Sequence, residues 1–283
     1  MKNKTMKRTT TLWIIAFVIT FATAYYQRTT GPTYPLAGTT QLSGKEIRYR
    51  LLRSSGGFTN APVEIQVVDS TIQGVMEWKR FKTDDPWTRI QMKFANSRLM
   101  AELPNQPPAG KLQYRITLLQ GESTALIPAV GPVVIRFKGD VPLFILIVHV
   151  IAMFGSMLLA VRAGLEYFNP NSNLQKLTYW TIGFFFVGGM VLGPIVQKYA
   201  FDAYWTGWPF GGDMTDNKTA VALLAWLAVA VALKKSKNPK AWALGAAVVM
   251  IVVYLIPHSV LGSELDYKAI DQQKAKSDTI QVR

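Results

Sequence analysis

The chain has no cysteine and only two histidines in 283 residues. Without cysteine there is no disulfide, no thiolate-held metal and no c-type haem attachment. Acid is scarce as well. The 17 Asp and Glu are set against 31 Lys and Arg, a formal net charge of +14. Charged residues make up 17% of the chain, below the rough quarter of soluble proteins, and hydrophobic ones 49%. No glycine-rich phosphate loop, paired-carboxylate cleft or Ser-His-Asp set is recognisable, so no catalytic constellation presents itself.

Uninterrupted apolar sequence is what the chain has in quantity. Residues 141–161, 177–197 and 241–261 each run for 21 positions without Asp, Glu, Lys or Arg. About 20 helical residues cross a ~30 Å hydrocarbon core. Residues 219–233, "TAVALLAWLAVAVAL", form a shorter fourth run. At the start, basic "MKNKTMKRTT" precedes apolar "TLWIIAFVITFATA". Residues 1–27 therefore read as a membrane anchor, or alternatively as a signal peptide ending at Ala22-Thr23-Ala24.

Lys and Arg near helix ends stay on the cytoplasmic side. Lys2, Lys4, Lys7 and Arg8 precede the first helix, and Lys234, Lys235, Lys237 and Lys240 separate the fourth from the fifth. Putting both clusters inside predicts five transmembrane helices, N-in and C-out, in a bacterial inner membrane. Residues 28–139 and the tail 263–283 then lie outside, and 140–262 form a four-helix membrane domain.

Residues 44–138 alternate at period two instead of helical spacing. "EIRYRLL" (46–52), "VEIQVVD" (63–69), "IQGVMEW" (72–78), "RIQMKF" (89–94), "LQYRITL" (112–118) and "PVVIRF" (132–137) place apolar residues largely on every second position. Turn residues separate them, among them Asp84-Asp85-Pro86 and "PNQPPAG" at 104–110. The pattern predicts an antiparallel β-sandwich of immunoglobulin-like architecture. Over 28–139 there are 15 Lys and Arg against 8 Asp and Glu, a net of +7. Such a surface suits an acidic partner or anionic headgroups. Alternatively, Arg48, Arg50, Lys93, Arg115 and Arg136 merely point outward and solubilise the sheet. Nucleic acid is not expected, because the domain lies on the wrong side of the membrane.

Both histidines fall in apolar segments. His149 lies about 12 Å along its helix from Val141, and His258 near the end of the fifth helix, after Pro257. Ionisable residues there are functional candidates, and two neutral imidazoles suit axial ligation of a haem iron or a metal ion. A satisfied imidazole, bonded to Ser156 or a backbone carbonyl, is the plainer reading. No other acid or base is expected to be buried among the helices. Gly188, Gly189 and Gly193 form a G-x-x-x-G face that permits close helix approach.

Between the third and fourth helices lies "AYWTGWPFGGDMTDNK", residues 203–218. Tyr204, Trp205, Trp208 and Phe210 suit an interfacial aromatic belt. Their interleaving with Gly207, Pro209, Gly211 and Gly212 indicates a folded loop. Asp213, Thr215 and Asp216 suit helix capping. In Trp205, Trp208, Phe210 and Asp213, flanked by His149 and His258, this stretch resembles the tryptophan-rich haem-handling membrane proteins of cytochrome c assembly. That resemblance covers the loop and the two histidines only. It implies haem b held by His149 and His258, with Trp205, Trp208 and Asp213 lining the cofactor.

Two functions are thus expected. One is a non-catalytic inner-membrane scaffold, in contact with lipid, that docks other membrane or periplasmic subunits. The other is a b-type haem protein of electron transfer or cytochrome assembly.

Overall fold

The computed structural model describes residues 2–170, 172–257 and 264–281. The chain forms two compact units. One joins the N-terminal helix to residues 141–263, and the other joins Thr33–Asp140 to the C-terminal stretch from Glu264.

The first unit is helical. Helix α1 spans Lys2–Thr30, α2 Leu143–Gly164 with a 3₁₀ turn Leu165–Phe168, and α3 Leu174–Phe185. A π-turn, Phe186–Leu192, joins α3 to α4, Gly193–Phe201. Helices α5, Met214–Lys235, and α6, Pro239–Leu255, follow. Lys7–Thr30, Leu143–Phe168, Leu174–Phe201 and Met214–Lys235 are each long and apolar enough to cross a membrane. Helix α6 is a shorter apolar helix of 17 residues.

Helix α5 starts five residues before the apolar run that announces it. Asp213 is its N-cap, its Oδ1 accepting the Thr215 N–H at 2.7 Å. The polar first turn hides the start from any reading by hydrophobicity. Helix α6 opens on Asn238-Pro239, with Asn238 Oδ1 accepting the Ala241 N–H at 3.3 Å. The core gathers Met157, Phe185, Trp226 and Met250, all fully buried, around a floor of alanines. Small residues set the spacing. A Cβ on Gly164 would come within 2.5 Å of Ala247 Cβ, so α2 and α6 touch backbone to side chain there.

The second unit carries eleven strands among the described residues. They are β1 Leu36–Leu42, β2 Lys45–Leu51, β3 Ser54–Gly56, β4 Ala61–Gln66, β5 Gln73–Arg80 and β6 Thr88–Gln91. They continue with β7 Lys93–Ala95, β8 Arg98–Leu103, β9 Lys111–Gln120, β10 Ser123–Ile127 and β11 Val133–Lys138. The largest sheet runs β3-β11-β9-β5-β6, with β10 also on β9; β1-β2 and β4-β8-β7 form two smaller sheets. All three sheets bury one shared core. Strand β9 shows the period-two rule plainly: Leu112, Tyr114, Ile116 and Leu118 are fully buried, while Lys111, Gln113 and Arg115 face outward.

Several expectations need correction. The sheet is not wholly antiparallel, because β3 pairs in parallel with β11, Ser54 opposite Arg136. Parallel pairing requires only that the chain cross over before returning, which strand periodicity does not reveal. Arg136 does not point to solvent: it is 6% exposed. The stretch expected as a polar tail carries helix α7, Tyr267–Gln281, on the β unit.

Candidate functional site

The outward face of the large sheet is a ladder of cations and rings. On β5, Glu77 and Lys79 point away from the core, opposite Arg115 and Gln113 of β9. Glu77 is 6% exposed and bridges Arg89 Nε at 2.8 Å and Arg115 Nε at 2.7 Å. Burial opposes its charge, but the two guanidinium bonds win and hold its carboxyl below the ordinary value. Arg115 stands 4.6 Å over the Trp87 ring, and Lys79 flanks the same ring at 5.5 Å. One step on, Lys82 and Lys111 lie 5.5 and 5.7 Å from the Phe81 ring. Arg89 and Arg115 thus share one buried acid, and Lys79 adds a third cation beside Trp87, so Glu77 neutralises only part of this charge.

The C-terminal segment covers one end of this ladder. Tyr267, 6% exposed, donates its hydroxyl to Gln106 Oε1 at 2.9 Å and accepts the Lys111 N–H at 3.1 Å. Arg80 lies over the Tyr267 ring at 5.1 Å and makes paired bonds to Asp85, at 2.6 and 3.0 Å, and to Asp271, at 2.9 and 2.7 Å. Glu264 reaches Lys82 at 2.9 Å and Lys111 at 3.4 Å, and Lys268 pairs with Asp84 at 2.9 Å.

These contacts predict a pH window for α7 docking. The Arg80 bonds hold the Asp271 carboxyl below its ordinary value of 3.8, and Lys268 does the same for Asp84. Groups with depressed values stabilise docking above that ordinary value, and the gain disappears as pH falls through the folded value. Tyr267 is pushed up to about 12 by burial, from 10.0, so its contribution is lost as pH rises through that range. Amide exchange across α7, divided by the intrinsic rate at each pH, is expected to be flat from pH 5 to pH 9, in which range none of these groups titrates, and to accelerate below about pH 3.8 and above about pH 10. Acceleration centred between those limits would contradict the assignment.

In the helical unit, His149 Nδ1 lies 2.9 Å from the Gly188 carbonyl. A carbonyl only accepts, so Nδ1 carries a proton, and in the neutral imidazole Nε2 keeps its lone pair. Gly188 sits in the π-turn, whose closing Gly193 N–H shares the same carbonyl. Such turns interrupt the α ladder and recur at functional positions. Glycines make room for it. A Cβ on Gly188 would meet Met153 Sδ at 2.9 Å, and one on Gly189 would meet Thr219 Cγ2 at 2.9 Å. The plainer expectation of a carbonyl partner for His149 is met, and Ser156 instead donates to the Met153 carbonyl. His258, the proposed second ligand, lies outside the described residues.

The aromatic loop is folded, as its glycines indicate, and its hub is Asp216. Asp216 Oδ2 accepts the Thr206 and Gly207 N–H groups at 2.6 and 3.0 Å and Gln197 Nε2 at 3.2 Å. Asn217 Oδ1 takes the Trp208 N–H at 2.7 Å. Gly207 has no room for a side chain, since a Cβ would sit 2.6 Å from Asp216 Cβ. Trp205 Nε1 donates to the Trp208 carbonyl at 3.2 Å. Trp208 and Phe210 point outward, 78% and 81% exposed, while Asp213 is buried as the α5 cap. Lys218, also buried, donates to the Ile256 carbonyl at the end of α6.

Sequence reading missed the buried charges. Arg162 is 2% exposed and Glu166 1%, with Arg162 Nη1 2.6 Å from Glu166 Oε1 and the Trp13 ring 5.4 Å from the guanidinium. Glu166 Oε2 accepts Asn169 Nδ2 at 2.9 Å and the Asn173 N–H at 3.2 Å. Arg8 and Lys240 donate to the Phe168 and Asn169 carbonyls. The i,i+4 spacing of Arg162 and Glu166 was the available signal, but it sits beyond the apolar run, in what read as a connecting loop. Asp213, Asp216 and Lys218 escaped for the same reason. Among the described residues no group of three or more His, Cys, Asp or Glu is placed to hold a metal ion.

No known family model and no curated protein matches this chain.

Proposed function

We propose that the protein is a non-catalytic, multi-pass component of a bacterial inner membrane that docks an acidic extracytoplasmic partner through its β unit. The observation that carries this is the cation–aromatic ladder of Lys79, Trp87, Arg89 and Arg115. Arg and aromatic residues are the side chains that dominate protein interfaces. In this reading α6 is the fifth span, its 17 residues at the lower limit for crossing, and the β unit is an immunoglobulin-like sandwich. The N-terminus lies inside and the C-terminus outside.

Reversing the ladder's charge with Arg115→Glu and Lys79→Glu is expected to weaken capture of the native partner about tenfold or more. A solubilised wild-type protein that runs alone as a monomer, with no chain lost on reversal, would sink the docking reading. Orientation has its own test, which the absence of cysteine makes simple. In intact spheroplasts a single cysteine at Ser123→Cys is expected to react with an impermeant maleimide, and one at Ser236→Cys only after lysis. The opposite pattern would invert the topology.

A second reading is favoured by His149, whose Nδ1 is tied to Gly188 and whose Nε2 lone pair is left for a ligand. A ring nitrogen fixed in this way is how metal-ligating histidines are oriented. His149 would supply an axial ligand to haem b, with His258 as the second; the iron would bring one-electron chemistry. Purified protein should then show a Soret band that His149→Ala abolishes. No band in the wild type, or one that survives both His149→Ala and His258→Ala, removes this reading.

A further inference from the structure

The way α7 sits on the β unit shows what chemistry that surface reads. Beside the Lys268–Asp84 pair and a Leu265 N–H bond to the Ala109 carbonyl, three side chains define its footprint. Tyr267 is the one buried residue among Glu264–Ser277, and its ring lies under Arg80. Its hydroxyl meets Gln106 and the Lys111 N–H above Gly110, where a Cβ would come within 2.8 Å of the tyrosine oxygen. Glu264, three residues earlier, takes Lys82 and Lys111; Asp271, four residues later, takes the free side of Arg80. Tyr267 and Asp271, four apart on α7, share one helix face, and Glu264 reaches Lys82 and Lys111 from the non-helical stretch just before the helix.

This footprint is specific in shape and weak in energy. In the flanking ion pairs Asp271 and Lys82 are half or more exposed, so water and salt screen them. A detached, polar helix of 15 residues is marginal in water. The segment is therefore held by one aromatic anchor, a main-chain bond and a few screened charges, which a better ligand displaces. Once it leaves, Lys82 and Lys111 lose their shared carboxylate and Arg80 loses one of two. Those cations continue the ladder of Lys79 and Arg115.

We propose that this end of the β unit is a receptor for an acidic segment that turns helical at a tyrosine, with a carboxylate three residues before the tyrosine and another four residues after it. The chain's own Glu264–Tyr267–Asp271 occupies that receptor in cis as a latch. The proposal rests on the docking reading of the β unit and names its ligand class. A protein segment fits better than a lipid surface, because the tyrosine pocket against Gly110 and the fixed carboxylate spacing have no counterpart in a mobile headgroup.

The test uses the full chain in neutral phosphatidylcholine nanodiscs and a labelled synthetic peptide of residues 264–281. The wild type, its receptor occupied, is compared with a variant opened by Tyr267→Ala and Asp271→Ala. The peptide should bind the opened variant about tenfold more tightly than the wild type. Binding should weaken severalfold between about 0.05 and about 0.5 M salt, as the Debye length shrinks. A peptide carrying Glu264→Gln and Asp271→Asn should lose about tenfold. Equal binding to wild type and opened variant, or equal binding of the neutral peptide, overturns the proposal. So does an opened variant that ignores the peptide and instead captures phosphatidylglycerol vesicles, which would make the surface a lipid reader. Should the double variant unfold, Asp271→Asn alone leaves Tyr267 seated and should still raise peptide binding; no increase overturns the latch. A native partner lost on Arg115→Glu, with peptide binding unchanged by opening, keeps docking and removes the latch. The reverse pattern removes the docking reading.

Discussion

Glu166→Gln is expected to destabilise the helical unit by about 3–5 kcal/mol, the cost of leaving one member of a buried ion pair without its partner. Arg162 would be that member. It is almost wholly inaccessible, its contact with Glu166 is a 2.6 Å charge pair, and its Nε has no hydrogen-bond acceptor among the described residues. Glu166 also ties down the turn after α2 through Asn169 and the Asn173 N–H, so the substitution loosens that turn as well. Removing both charges, with Arg162→Met and Glu166→Gln, should recover most of the loss, because no buried charge then lacks a partner and the glutamine carbonyl still accepts from Asn169 and Asn173. Unfolding in a graded detergent mixture measures both. A single-variant cost below about 1 kcal/mol, the range of exposed pairs, would mean that Arg162 finds water or a lipid phosphate instead.

Asp216→Ala is expected to cost about 3 kcal/mol, and Asp213→Ala only about 1 kcal/mol. Both residues are buried at the start of α5, but they do different work. Asp213 caps the helix through the Thr215 N–H and accepts the Thr206 hydroxyl at 3.2 Å, so its loss is that of a cap. Asp216 holds the Thr206 and Gly207 N–H groups from the other side of the loop. Removing it leaves two backbone donors unsatisfied as well as losing bonds to a carboxylate, each worth about 1.5–3 kcal/mol but not additive. The loop should open before the bundle does, so tryptophan fluorescence from Trp205 and Trp208 should shift at a lower detergent fraction than helix content. If Asp213→Ala proved the costlier, the loop would be organised around the cap.

That pair shows where reading the chain stops. Capping at Asp213 follows from local chemistry, since an aspartate before a helix has one obvious use. The hub at Asp216 requires Thr206 and Gly207 to fold back across nine or ten residues, and no periodicity records such a return. Gly207 carried a trace of it, because a glycine among aromatics marks a tight approach, though not the residue it approaches. Similarly, the apolar stretch around His149 announced a helix, but the π-turn that presents the Gly188 carbonyl depends on α2 packing against Gly188 and Gly189.

The sequence by itself determined the division into a strand-rich unit and apolar helices. Hydrophobic periodicity is a local property, and in a chain with no cysteine it must carry the fold. It also determined the excess of positive charge on the strand-rich unit. Only the tertiary structure decided which charges are buried. Arg136, Arg162, Glu166 and Lys218 each lie near the edge of an element, where sequence gives exposure as the default. Only the tertiary structure, too, brought Glu264, Tyr267 and Asp271 onto Arg80, Lys82 and Lys111. Those two groups are separated by more than 150 residues, and contact at that range is set by where the packed elements leave their ends, which no local pattern contains.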